Sequence, residues 1–463
     1  MHPAIRRQTL SDLLTRSAAR APDKLAIACG DVRWSYAEFD ALATRVAAGL
    51  ARMGVAKGTR VAVLARNSHA FAALRFGLAR LGAVLVPINF MLKAEEVAYI
   101  LRHAGATMLA TDSGLAALAR AAAALDTRVT QFVWLPSEAP YAPEPGMTAF
   151  DDLAACRDAL PEPDLHGGDL LQIVYTSGTE SSPKGAMLTH DAVLWQYVSC
   201  LVDAGISSDD LALHALPLYH CAQLDVFLGP SIYCGASNII TAAPTPDNLL
   251  PLIERHRITS FFAPPTVWIS LLRSPLFDAT DLSSLRKGYY GASIMPVAVL
   301  RELAERLPAV RLWNLYGQTE IAPLATMLGP EDQLRKPGSC GRAVLNVQKR
   351  SATDSYNVFT IDPSRSPQAV VSGPGTGNAE SPAGWLDRAI ETLGAAGLKV
   401  VLGTPTGVST TRLPSLVLPS KSTRAGIHVS RPNTGSSYSR KIRPLVAGSM
   451  PRASMRAGAG SDR

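Results

Sequence analysis

The segment Tyr175–His190, YTSGTESSPKGAMLTH, holds the residue types best suited to chemistry. Small hydroxyl residues flank Gly178, an apolar strand (Leu170–Tyr175) leads into them, and Pro183-Lys184-Gly185 closes the run before a helix. A turn of Thr, Ser and Gly lets backbone N–H groups and hydroxyls converge on phosphate oxygens, and Lys184 adds positive charge. The spacing is not that of a Walker A loop, because GxxxxGK[ST] is absent. A bare TSGT also suits an ordinary Ser/Gly-rich surface loop, so the specificity lies in the longer string. Metal chemistry built on cysteine is excluded. The six cysteines stand singly, with no CxxC and no His/Cys cluster, which argues against structural zinc and for a reducing compartment.

The whole string resembles the phosphate-binding loop of the adenylate-forming (AMP-binding) family of acyl-CoA synthetases, luciferases and peptide-synthetase adenylation domains. That family usually shows TSGTTGxPKG. Here Glu180-Ser181-Ser182 replaces Thr-Gly-x and adds a negative charge beside a triphosphate site. The resemblance implies that Thr176, Ser177, Gly178, Thr179 and Lys184 bind the nucleotide, with Lys184 also catalytic. LYGQTE (Leu315–Glu320) is similar to the family's YGxTE motif. It implies a phosphate contact from Thr319, a Mg²⁺ ligand in Glu320, both catalytic, and Tyr316-Gly317 beside the adenine. A carboxylate suits a hard cation that bridges phosphates. YYGASIMP (Tyr289–Pro296) resembles the segment that packs on adenine, which assigns Gly291, Ala292 and Ser293 to the nucleotide pocket; alone, it is equally a tight glycine turn. LPLYHCAQ (Leu216–Gln223) resembles P-x-[FY]-H, whose His borders the acyl pocket. His220 then gates or orients the carboxylate and is not a general base, although a lone His is more often structural.

Together with SDLL, WSYAEFDALATRVAAGL and KPGSCGRAV, the match covers roughly residues 8–347. It implies an α/β fold of the acyl-CoA synthetase/luciferase N-terminal type, with two α/β subdomains around central sheets. The implied enzyme is an AMP-forming acid–thiol ligase. It joins a carboxylic acid, a fatty acid by nearest likeness, to CoA through an acyl-adenylate, using ATP, Mg²⁺ and CoA. A cytoplasmic location follows from the absence of a secretory pattern in MHPAIRRQTLSDLL and of any uninterrupted apolar span. The competing reading is a non-catalytic nucleotide- or acyl-binding remnant of the family.

The elements that must position these residues alternate. Leu25–Cys29 and Val32–Trp34 read as strands joined at Gly30-Asp31. Ser35 with Glu38 forms a capping box for a helix through Phe39, Leu42, Val46 and Leu50, which stops at Gly54. Arg60–Ala65, Ala83–Pro87, Leu170–Tyr175, Leu211–Leu216, Ile258–Phe262 and Leu312–Leu315 read as strands. Ser68–Leu81, Asp191–Val202, Thr266–Leu272 and Pro296–Arg306 read as helices. Such alternation favours βαβ units and a largely parallel sheet. The proline-rich stretch at 136–145 reads as the linker between two subdomains, with the nucleotide cleft where their strand ends meet.

Of the 463 residues, the net charge of +7 sits almost wholly in the last quarter. From Gln348 onward there are 15 Lys and Arg against 6 Asp and Glu, and 40 of 116 residues are Ser, Pro or Gly. The alternation fades there, leaving a helix at Trp385–Ala396 and a strand at Leu398–Leu402; disorder is expected beyond Thr404. The domains are therefore 1–347, AMP-binding, and 348–463, an atypical basic region that is largely disordered. Past Val347 there is no SGD or TGD string, no DRxKD-like hinge and no late Lys in a PRTGK-like context, so the family's third subdomain and C-terminal domain read as lost or replaced. A frameshift or fusion after Val347 accounts for both features. A nucleic-acid or membrane-surface role for the basic tail is disfavoured, because its charges are interspersed with Ser and Pro and lack interleaved aromatics.

Overall fold

The computed structural model describes residues 7–138, 142–160, 162–176 and 183–349, together with the backbone of strands at 357–361, 368–372 and 399–403. These residues fall into two units. The first runs to residue 350 and takes back 359–361, which pair antiparallel with Val347–Lys349. The second contains Gln368–Ser372 and Lys399–Gly403, which are parallel neighbours. The helix expected at Trp385–Ala396 and the disorder expected beyond Thr404 lie outside the described residues.

Two sheets organise the first unit. One has seven strands in the order Thr148–Ala149, Gln131–Trp134, Met108–Thr111, Arg60–Leu64, Val84–Pro87, Leu170–Thr176, Lys184–Thr189. All neighbours are parallel except the last pair, Leu170–Thr176 with Lys184–Thr189. The other has nine, in the order Arg342–Ala343, Leu324–Leu328, Arg311–Gly317, Lys287–Gly291, Ser260–Phe262, Leu211–His214, Ser237–Ile240, Leu25–Cys29, Val32–Ser35. Its six central strands, Arg311–Gly317 through Leu25–Cys29, are parallel.

This pairing corrects the linker at 136–145. Gln131–Trp134 before it and Thr148–Ala149 after it are parallel neighbours in one sheet, so the stretch is an excursion from that sheet. The exchange between sheets falls instead after helix His190–Asp203. The first two strands of the chain belong to the second sheet, because Leu25–Cys29 pairs with Ser237–Ile240.

Local chemistry sets the helix starts. The Ser35–Glu38 capping box is complete, with the Ser35 N–H donating to Glu38 Oε2 at 2.7 Å. Ser68 and Thr189 cap helices His69–Leu81 and His190–Asp203 by their side chains alone, accepting the N–H groups of Phe71 and Ala192. Helix His69–Leu81 is buried on nearly every side. It lies in a continuous apolar cluster with Leu13, Phe39 and Val46 that also takes in Ile27 of the nine-stranded sheet and Val61 of the seven-stranded one.

Candidate active site

The expected site residues stand at strand ends. Gly291 closes Lys287–Gly291 and Gly317 closes the parallel neighbour Arg311–Gly317, with Gly291 opposite Leu315. Carboxyl ends of parallel strands are where open α/β sheets take ligands. Both glycines are sterically required. A Cβ on Gly291 would sit 2.4 Å from the Leu315 carbonyl oxygen, and one on Gly317 only 2.1 Å from that of Pro323. Immediately beyond Gly291, Ala292 is held at φ +65°, a left-handed conformation that costs a non-glycine residue on the order of 1 kcal/mol. Ala292 and Ser293 are both exposed.

After Gly317 the chain makes a tight turn, closed by the Gln318 N–H donating to the Pro323 carbonyl at 2.8 Å. The turn carries Thr319 and Glu320, with the Glu320 carboxylate exposed. Gln318 Nε2 also donates to the Tyr316 hydroxyl at 3.1 Å. Residues Thr319–Ile321 lie against strand Lys184–Thr189 of the other sheet.

The sequence leaves the residues between Gly185 and the helix at Asp191–Val202 unassigned; Lys184–Thr189 is an antiparallel strand paired with Leu170–Thr176, and the helix starts at His190, one residue before the expected start. Residues 177–182, which hold most of the candidate phosphate loop, therefore connect two antiparallel strands. Thr176 faces Lys184 across the pair, and the Lys184 side chain is exposed. Gly185 leaves room for Tyr175, whose ring would lie 3.1 Å from a Cβ there. The Tyr175 hydroxyl is 2.7 Å from His103 Nδ1, which ties the root of the loop to helix Ala94–Ala104. Burial pushes the Tyr175 hydroxyl up to about 12. Ser177, Gly178 and Thr179 lie outside the described residues.

The segment Leu216–Cys221 is held from both sheets. Asn67 accepts the Leu218 N–H at 2.7 Å and donates to the carbonyls of Leu216 and Thr241 at 2.8 and 3.0 Å. Beneath it, Gln223 accepts the Leu216 N–H at 3.3 Å and pairs with His214 Nδ1 at 2.7 Å, and His214 Nε2 reaches Asn238 Oδ1 at 2.8 Å. Burial lowers His214 to about 4, so this histidine is a neutral structural link. His220 Nδ1 accepts the Ala222 N–H at 3.1 Å, leaving Nε2 as its outward atom. Desolvation lowers its pKa and favours the neutral ring, with Asp225 opposing. Next to it, the buried Cys221 Sγ lies 3.3 Å from Thr319 Oγ1, and burial pushes the thiol up to about 12.

The structure thus brings strand Lys184–Thr189, the Thr319–Glu320 turn and the His220–Cys221 pair into one contiguous region, with Gly291 on the strand beside Tyr316. Sequence reasoning missed Asn67, His103 and Cys221, which have no residue pattern of their own. Among the described residues no group of three or more His, Cys, Asp and Glu could hold a metal. One exposed carboxylate at Glu320 suits Mg²⁺ of the kind that takes most of its ligands from phosphate and water.

The model of the family described as AMP-binding enzyme matches residues 14–354. The chain belongs to this family. As an AMP-binding enzyme it is 32% identical over 372 residues to indoleacetate–CoA ligase of Aromatoleum aromaticum, covering 80% of this chain and 71% of that one. It is 33% identical over 318 residues to the long-chain-fatty-acid–CoA ligase FadD13 of Mycobacterium tuberculosis, covering 68% and 60%. Among solved structures, the inhibitor-bound N-terminal domain of FACL13 from Mycobacterium tuberculosis superposes with a TM-score of 0.70 at 30% identity, over 77% of this chain and 89% of that domain. These relatives are acid–CoA ligases of the AMP-binding family. Among the described residues no helix is long and apolar enough to cross a membrane.

Proposed function

We propose that this AMP-binding chain adenylates a carboxylic acid with an apolar body, of the fatty-acid class, in the cytoplasm. The observation that carries the reading is the contact of Cys221 with Thr319, which joins the segment expected to border the acyl group to the turn expected to touch phosphate. The fatty-acid class is supported by the likeness to FadD13 and by the apolar character of Leu224, Val226, Phe227 and Phe262 behind that segment.

In this reading the acid's carboxylate attacks the α-phosphorus of ATP, the bond to the β-phosphate oxygen breaks, and pyrophosphate leaves. Lys184 supplies positive charge to the phosphates, together with the hydroxyls and backbone N–H groups of Thr176, Ser177, Gly178 and Thr179. Thr319 donates to a phosphate oxygen. Gly291, Ala292 and Ser293 form one wall for the adenine, with Tyr316 and Gly317 on the adjoining strand. His220 presents Nε2–H to orient the incoming carboxylate. Glu320 holds Mg²⁺, which when bound offsets phosphate charge.

In the second half-reaction a CoA thiolate attacks the acyl carbonyl and AMP departs. Residues 348–463 have no recognisable ribose-binding aspartate, hinge or adenylation lysine, so both half-reactions are impaired in the chain as written, the second most of all.

The test is ATP–pyrophosphate exchange with decanoate, indole-3-acetate and ferulate, followed by acyl-CoA formation. Exchange fastest with decanoate supports the proposal. Exchange fastest with an aryl acid refutes the substrate class. Nucleotide binding without exchange points to the non-catalytic remnant.

A further inference from the structure

In the helical layer between the two sheets, four polar side chains meet out of contact with solvent. Asp225 Oδ1 accepts from Arg75 Nη2 at 2.6 Å and from the Tyr197 hydroxyl at 3.2 Å, and Oδ2 accepts from Gln172 Nε2 at 2.7 Å. Arg75 Nη2 also donates to the Tyr197 hydroxyl at 2.9 Å. None of the four residues is more than 2% exposed. Each comes from a different element: Arg75 from helix His69–Leu81, Gln172 from the strand that leads into the phosphate loop, Tyr197 from helix His190–Asp203, and Asp225 from the segment after His220. Gly229 makes room for the cluster, since a Cβ there would lie 2.0 Å from the Tyr197 hydroxyl.

Stability alone is a poor reason for this arrangement. A buried ion pair gains little over apolar residues of the same volume once desolvation is counted. This one is also incompletely satisfied, because among the described residues Arg75 Nε and Nη1 and Gln172 Oε1 have no hydrogen-bond partner. What the pair does hold is unusual. Asp225 is the middle residue of a seven-residue π-helix, Ala222–Leu228, a widened form that seldom runs beyond one turn and concentrates at functional sites. The residue before that helix is Cys221, 3.3 Å from Thr319, and before it stands His220.

We infer that Arg75 and Asp225 are positioning residues: their buried pair fixes the register of the π-helix, and so the placement of His220 and Cys221 against Thr319. The pair touches no reactant. Through Gln172 it fastens the same helix to the strand that ends at Thr176, so the acyl-facing segment and the root of the phosphate loop move as one block. The consequence for acid recognition rests on the proposed function; the placement of Cys221 does not.

The test is the paired apolar replacement Arg75→Met with Asp225→Leu, beside Arg75→Lys as the conservative variant. Three readouts are taken: the denaturation midpoint, pulse alkylation by iodoacetamide mapped by peptide mass spectrometry, and the KM values for decanoate and ATP in pyrophosphate exchange. The paired variant is expected to stay folded, with a midpoint lowered by the orphaned Gln172 and Tyr197 donors, while Cys221 labels about tenfold faster, with Cys29 and Cys156 unchanged. Its KM for decanoate should rise about tenfold while that for ATP stays within about twofold. Arg75→Lys, which keeps the charge pair, should label as the unmodified chain does.

Cys221 as protected in the paired variant as in the unmodified chain overturns the inference, whatever the exchange assay gives. So does a paired variant that no longer folds, because the pair would then be a stabiliser. Faster labelling with an unmoved decanoate KM removes the link to acid recognition. Faster labelling in a protein that exchanges with no acid refutes the proposed function and leaves the positioning role standing.

Discussion

Gly317→Ala should disable the site while leaving most of the molecule intact. The added Cβ would lie 2.1 Å from the Pro323 carbonyl oxygen and 2.8 Å from its carbon. Ordinary contact requires roughly 1 Å more, and backbone stands on both sides, so no side chain can swing away to provide it. That carbonyl accepts the Gln318 N–H which closes the turn, so the displacement is passed to Thr319 and Glu320. Overpacking of this kind costs about 1–3 kcal/mol of stability. A shift of about 1 Å in a positioning group is enough to cost on the order of 100-fold in rate. Urea denaturation, calorimetric titration with Mg·ATP and pyrophosphate exchange measure the three consequences. Gly168→Ala is the matched control, because a Cβ there meets nothing within 4 Å and should change none of them. Exchange in Gly317→Ala within about threefold of the unmodified chain would refute the placement of Thr319 and Glu320 at the reacting phosphates.

Glu320→Gln should remove most Mg²⁺-dependent exchange with an unchanged denaturation midpoint, since Gln keeps the shape and loses the charge; an identical Mg²⁺ titration in both proteins would count against the ligand assignment. Stability should also fall with acidification between about pH 6.5 and 4. Burial holds His69, His190 and His214 near 4, so in that window the unfolded chain binds protons that the folded one does not. Within that window each histidine contributes a slope of about 1.4 kcal/mol per pH unit, so its stability is fully present above 6.5 and lost on the way to 4. Denaturation midpoints across that range check it, and a flat profile would contradict it. Replacing the residues after Val347 with an intact family C-terminal region should raise acyl-CoA formation by at least about 100-fold, the usual scale for restoring a charged transition-state donor. Equal rates before and after would show that the missing motifs are not needed.

Much of the local structure was legible because short-range chemistry sets it. Ser35 with Glu38, Ser68 before an apolar helix, and the run Leu170–Tyr175 each identify their element without reference to anything distant. Sheet membership was not legible. Nothing in LAIAC tells that its parallel partner is Ser237–Ile240, and the prolines at 136–145 mark a turn away from a sheet as readily as a boundary between sheets. Lys184–Thr189 was not legible as a strand because a six-residue run next to glycine carries too little periodicity to separate strand from helix.

The motifs of the site could be read one by one from the chain, but their contacts could not: Cys221 beside Thr319 is a meeting of residues 98 positions apart. The buried cluster did leave a trace. Arg75 in AFAALRFGLA and Asp225 in AQLDVFL are single charges inside otherwise apolar runs, and buried charges require partners.

The insertion of Leu25–Cys29 between Ser237–Ile240 and Val32–Ser35 affects how the chain comes into being. The seven-stranded sheet is nested within the nine-stranded one, so no single cut separates the two; only excision of the inner stretch or a circular permutation would. During synthesis the opening hairpin emerges first and waits for a partner more than two hundred residues downstream. At ordinary elongation rates that wait lasts roughly 10–40 s. Throughout it the apolar strand Leu25–Cys29 has one unpaired edge, open to pairing with the wrong strand.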